Sequence, residues 1–127
     1  APGDHHMIVA KSHDNTVRIK LNQGPPENSC RPAVDVLFRS VADVYRDKTV
    51  AVILTGMGRD GFKGCEKIKK MGGQILAQDE ESSVVWGMPG SVAKCGLAEE
   101  VLPLAPLAKE IVKRVSNGPR LARQAKS

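Results

Sequence analysis

Val50-Ala51-Val52-Ile53-Leu54 is an uninterrupted apolar run, and the seven residues after it, Thr55-Gly56-Met57-Gly58-Arg59-Asp60-Gly61, include three glycines. An apolar run without polar alternation reads as a strand buried on both faces of a parallel sheet. A glycine turn between such a strand and a helix lies where ligands bind in open α/β sheets, beyond the carboxyl ends of the strands. This one segment therefore constrains both the fold and the place where chemistry can occur.

The flanking sequence fits that frame. Met7–Ala10 is a short apolar run, and Val17, Ile19 and Leu21 alternate with Arg18 and Lys20, so the two predict a β-hairpin turned at Ser12-His13-Asp14-Asn15. From Pro32, apolar residues at Val34, Leu37, Phe38, Val41 and Val44 or Tyr45 predict a helix, with Pro32 suited to its first turn. A second helix is predicted over 62–71, closed by Gly72-Gly73, and a strand over 74–77. A short helix over 89–94, a strand at 101–102 and a terminal helix from Pro106 to Val115 complete the series. In that last helix Leu107, Ile111, Val112 and Val115 would share the buried face. After residue 32 the order α-β-α-β-α-β-α predicts an α/β fold, doubly wound with a mostly parallel sheet, behind an N-terminal β-hairpin.

Charge narrows the possible partners. The net +5 suggests a nucleic-acid or membrane partner, yet residues 1–108 carry 13 basic and 13 acidic side chains. The excess sits in residues 109–127, with Lys109, Lys113, Arg114, Arg120, Arg123 and Lys126 against Glu110. Trp86, Tyr45, Phe38 and Phe62 are the whole aromatic complement, too few for a base-stacking platform. No apolar run approaches the roughly 18 residues that insertion into a membrane needs. Cys30, Cys65 and Cys95 match neither a disulfide framework nor a metal knuckle and fit a reducing cytoplasmic compartment.

Two functional readings of the glycine turn arise from spacing. Gly56-x-Gly58-x-x-Gly61 fits a dinucleotide fingerprint, with Asp79 at the end of the next strand as the ribose acid. Against it, Asp60 would put a carboxylate where the pyrophosphate binds. In the other reading Asp60 orients a histidine, as the acid of a hydrolase triad does, and backbone N–H groups of the turn contribute to an oxyanion hole. A plain helix cap is a third role for Asp60.

Five blocks then recur in order: Ala1-Pro2-Gly3-Asp4-x-His6-Met7; Asn28-x-x-Arg31-Pro32-x-Val34-Asp35-x-Leu37-Phe38; Leu54-Thr55-Gly56-Met57-Gly58-x-Asp60-Gly61; Ala77-Gln78-x-Glu80-x-Ser82-x-Val84-Val85-x-Gly87-Met88-Pro89; and Glu100-Val101-Leu102-Pro103-Leu104. Over residues 1 to about 115 the chain resembles the catalytic domain of the bacterial chemotaxis protein-glutamate methylesterases, the CheB type. The resemblance implies hydrolysis of glutamate methyl esters on the cytoplasmic domain of chemoreceptors, and deamidation of certain receptor glutamines, by a Ser-His-Asp triad. It implies Asp60 as the triad acid, the Met57 backbone N–H as an oxyanion donor, no metal and no organic cofactor. It also implies an upstream phosphoacceptor receiver domain as a regulatory partner.

The family's serine lies in a Ser-x-Gly-Gly turn and its histidine in a Gln-His-Met turn, both upstream of the Ala-Pro-Gly block. The expectation is therefore a truncated methylesterase domain: residues 1–116 form its C-terminal portion, followed by a basic, disordered tail over 117–127, inactive alone. His6 resembles the block's own histidine rather than the general base; His5 and His13 are no better placed, and Ser82 and Ser83 read as turn or cap residues. Asp79 and Glu80 read as a solvated run and Trp86 as core. Val50–Leu54 would be left with an open edge that invites self-association. An interaction module that uses the tail as its contact is a further, non-catalytic reading.

Overall fold

The computed structural model describes the backbone of residues 1–126 and the side chains of residues 1–117. Its elements are β1 (His6–Lys11), β2 (Val17–Asn22), α1 (Val34–Tyr45), β3 (Val50–Ile53), α2 (Phe62–Lys70), β4 (Gln74–Gln78), α3 (Gly87–Lys94), β5 (Glu100–Leu102) and α4 (Leu104–Lys126). A short 3-10 turn, Arg46–Lys48, joins α1 to β3.

β3, β4 and β5 form a parallel sheet in the order β3-β4-β5, with Val50 opposite Gln74 and Leu76 opposite Glu100. All five residues of β4 are buried, so β4 is the central strand. β3, expected to be buried on both faces, alternates half-buried with buried residues and pairs only with β4 among the described residues. Ala51, Ile53, Ile75 and Ala77 face one way, packing with Ala42 of α1, Cys65 and Ile68 of α2 and Val92 of α3. The alternate residues of β4 turn to the opposite face, where α4 brings Leu107 and Arg114. Helices thus cover both faces, as doubly wound sheets require.

Burial on α4 departs from its apolar pattern. Leu107 is buried, but Val112 and Val115 are about two-thirds exposed, while Arg114 is only 4% exposed. The guanidinium bonds Gln74, Glu99 (3.0 Å) and Glu110 (2.7 Å), binding α4 to the amino ends of β4 and β5. Ion pairing across this end of the sheet, rather than the valine stripe, sets how the helix is rotated. The helix also starts two residues before Pro106, which occupies the first turn, where its missing N–H is not needed. Its backbone continues through Asn117-Gly118-Pro119, where the sequence places a stop. The side chains of the expected basic tail lie, from residue 118, outside those described.

The hairpin pairs as expected, from His6↔Asn22 to Lys11↔Val17. Asp14 accepts the Ser12 hydroxyl at 2.6 Å and the Thr16 N–H at 3.0 Å, fixing its turn. It packs on α1 through β1, where Val9 donates its N–H to Ser40 Oγ. β2 is then the outer strand, so Ile19 and Leu21 are exposed despite their alternation.

Candidate active site

The glycine turn leaves the carboxyl end of β3 and is held from three sides. Thr55 donates its N–H to Oε1 of buried Gln78 (2.8 Å), and the Thr55 hydroxyl exchanges hydrogen bonds with the Val85 backbone. Gly56 donates its N–H to the Val85 carbonyl (2.9 Å) and accepts the Met88 N–H (2.8 Å). The start of α3 therefore lies directly against the turn. A Cβ on Gly87 would stand 2.9 Å from the Gly58 nitrogen, so only glycine permits that approach. Gly58 and Gly61 have φ of 87° and 98°, conformations that L side chains rarely adopt. The bonds that fix the turn fall on the neighbours of Met57, which stands at its tip, 83% exposed.

Asp60 lies on the far side of the turn and reaches across to α1. Its Oδ2 accepts the Val34 N–H at 2.7 Å and its Oδ1 the Asp35 N–H at 3.0 Å. The carboxylate thereby takes two N–H groups that a helix start leaves without partners, next to the positive end of the helix dipole. This cap explains why α1 begins at Val34, after Pro32. Asn28 donates one amide group both to Asp60 Oδ1 (3.0 Å) and to Asp35 Oδ2 (2.8 Å). Asp35, 1% exposed, also accepts the Gly64 N–H at 2.8 Å. Two carboxylates and one carboxamide thus join α1, α2 and the site turn. Arg39, bonded to Glu27, is held above its ordinary pKa by that bond first, with the charges of Glu27 and Asp35 adding to it against the effect of burial.

Other sequence candidates are not brought to the turn as reacting groups. Ser82 donates its hydroxyl to Asp79 at 2.6 Å, and Asp79 also accepts the Ser82 N–H, a closed local turn. Asp79 is therefore half-buried and engaged rather than solvated, while Glu80 is exposed. The Ser83 hydroxyl goes to the Asp79 carbonyl. His6 is buried with Nε2 against the Pro25 carbonyl (2.9 Å) and Nδ1 accepting the Ala33 N–H (3.2 Å), so neither ring nitrogen is free for proton transfer. His13 is exposed in the hairpin turn, and His5 bonds the Gly3 carbonyl. Trp86, expected in the core, is half-buried and donates Nε1–H to the Gln78 carbonyl at 2.8 Å. Among the described residues no cluster of three or more His, Cys, Asp or Glu could hold a metal, and no helix is long and apolar enough to cross a membrane.

Geometry also counts against a dinucleotide. Asp79 spends its carboxylate on Ser82, and Gly56, the first glycine of the fingerprint, is covered by Met88. Three residues that build the site had no role assigned from spacing: Asn28, Asp35 and Gln78. For Asp35 a signal was present, an acid on the same helical stripe as Phe38 and Ala42.

Residues 1–111 match the family model described as CheB methylesterase. The chain is 58% identical over 115 residues to the protein-glutamate methylesterase/protein-glutamine glutaminase of Trichodesmium erythraeum, covering 91% of this chain and 32% of that protein. It is 54% identical over 116 residues to the protein of the same description from Nocardioides sp., covering 91% and 31%. The crystal structure of the Thermotoga maritima CheB methylesterase catalytic domain superposes with a TM-score of 0.85 at 43% identity, covering 89% of this chain and 59% of that one. The chain spans about a third of the length of the curated relatives it matches.

Proposed function

This chain belongs to the CheB methylesterase family, and from that membership we propose that it carries the acid and one oxyanion donor of a hydrolase acting on glutamate methyl esters of chemoreceptors. The same site would deamidate receptor glutamines. In this reading the family's serine attacks the ester carbonyl while its histidine takes the hydroxyl proton. The histidine returns that proton to the departing methoxide as methanol, and water then cleaves the acyl-enzyme to leave glutamate. Asp60 fixes the imidazole tautomer and stabilises the imidazolium. The Met57 N–H stabilises the carbonyl oxygen as it becomes negative. A phosphoacceptor receiver domain, as in the family, would govern access.

The observation that carries this reading is the placement of Asp60. Three donors hold its carboxylate rigidly at the end of β3, in the same turn that presents Met57. Of the serines and histidines weighed from the sequence, Ser82 is bound to Asp79, Ser83 to the Asp79 carbonyl, and both His6 nitrogens are occupied. The chain by itself should release no methanol.

A chimera tests the proposal. The matching segment of the Thermotoga maritima catalytic domain is exchanged for residues 1–115, and methanol release from methylated receptor is measured. Activity in the chimera and none in the chain is the expected result. An inactive but folded chimera, or an active isolated chain, would reject it.

A further inference from the structure

Beside the site turn, towards α3, lies a cleft of about 330 Å³. Trp86 forms its floor, lying so close to Gly90 that a Cβ there would sit 2.9 Å from the ring. Arg59, one residue before Asp60, and Lys94, from the last turn of α3, also line the cleft. The Lys94 ammonium is 5.5 Å from the Trp86 ring centroid, and the Arg59 guanidinium is 4.6 Å from that of Phe62.

Both cations are exposed, and among the described residues neither makes an ion pair with a carboxylate. No Asp or Glu lines the cleft. Residues 1–108 are neutral with both of these cations counted, so this local pair of unmatched charges is not part of a general basic excess. An indole beside one cation, with a second cation in the same lining, suits a carboxylate on a short methylene stem: the stem covers apolar surface and the head meets the charges. A free, strongly hydrated phosphate would gain nothing from the apolar floor.

We propose that the cleft binds an acidic side chain of the polypeptide substrate, next to the glutamyl ester in sequence or across one helical turn, so that Arg59 and Lys94 select acidic segments for hydrolysis. The proposal rests on the methylesterase reading for what occupies the neighbouring turn. The binding itself can be tested without any reaction.

Trp86 is the sole tryptophan, so its fluorescence reports on the cleft directly. The chain is titrated with a short blocked peptide containing two unesterified glutamates, with its glutamine counterpart, and with inorganic phosphate. The glutamate peptide alone should give a saturable change that weakens as salt is raised. Arg59→Gln and Lys94→Gln should each weaken it about fivefold, the scale of an exposed ion pair. Ser91→Asp, which plants a carboxylate in the lining, should abolish it; circular dichroism confirms that each variant is folded. Equal response to both peptides, no response to either, unchanged affinity in the doubly substituted chain, or saturation by phosphate alone would overturn the proposal. In the chimera, KM for esters flanked by glutamate should rise relative to esters flanked by glutamine when Arg59 and Lys94 are replaced. An inactive chimera would reject the methylesterase reading and leave the titration standing; an active chimera with no Trp86 preference would reject this inference alone.

Discussion

The Asp60 carboxylate accepts the Val34 N–H at 2.7 Å across 26 residues of sequence, so the residue proposed as the triad acid is also the N-terminal cap of α1. The side chain proposed as the hydrolase acid thus caps α1 and not α2, the helix that follows it, whose own start carries no side-chain cap. Capping spends part of each oxygen on α1 and Asn28 and sets the direction in which the remaining lone pairs point.

The two roles separate by magnitude. Asp60→Asn turns an amide NH₂ towards backbone N–H donors and should cost about 1 kcal/mol of stability, measured by urea unfolding of the chain. In the chimera the same change should lower kcat by about four decades, because asparagine favours the wrong histidine tautomer. A kcat loss below about tenfold would reduce Asp60 to a cap.

Gly64 gives a prediction opposite in sign to helix propensity. Replacing a helical glycine by alanine ordinarily gains about 1 kcal/mol. Here the new Cβ would lie 2.5 Å from the Phe38 Cβ and 3.3 Å from Asp35 Oδ1. Gly64→Ala should therefore destabilise the chain by about 1–3 kcal/mol through overpacking of α1 against α2. Asp35→Ala should cost a similar amount by leaving the buried Gly64 N–H without an acceptor. Chemical denaturation of both variants checks the pair, and a stabilised Gly64→Ala would contradict the close packing.

Much of this arrangement was legible in the sequence, and what was not has a common cause. Local periodicity and turn chemistry placed the hairpin, the strand at Val50 and the helix after Gly61, because those signals act over a few residues. Arg114 was hidden because two of its partners, Gln74 and Glu99, lie outside α4, and an arginine beside Glu110 at i−4 inside a valine stripe looks like the solvated position it usually is. Asn28 and Gln78 were missed for the same reason: each bonds groups distant along the chain, and no spacing rule marks such a residue. Asp60 was a candidate from the glycine turn itself and the family blocks chose the acid role for it, while its reach to α1 required the fold.

Cys65 predicts a loss of stability on the alkaline side. Burial, followed by the nearby charge of Asp35, pushes its thiol up to about 12 from an ordinary 9.0. A folded-state value above the unfolded one means that the neutral thiol's contribution is complete below pH 9 and is lost as the pH rises from 9 towards 12. The loss amounts to about 2–4 kcal/mol in the limit. Cys65→Ala should be less stable at neutral pH, from the cavity it leaves, yet lose less on going alkaline. Thiol labelling gives a second check: Cys30 and Cys95 are exposed and should react in the native chain, whereas buried Cys65 should react only on unfolding.

The outer edge of β3 predicts association. Among the described residues β3 pairs with β4 alone, so Val50–Ile53 offers one row of backbone donors and acceptors to any other strand. Leu54, just past that edge, is 46% exposed and adds apolar area where a partner strand would lie. Sedimentation velocity on the isolated chain should show mass increasing with concentration. Leu54→Lys should reduce that association, since a lysine beside an open edge repels a second copy, and should change monomer stability by less than about 0.5 kcal/mol because the site is exposed. A chain that stays monomeric at every concentration, or a Leu54→Lys variant that associates as strongly as its parent, would show that this edge is not the contact.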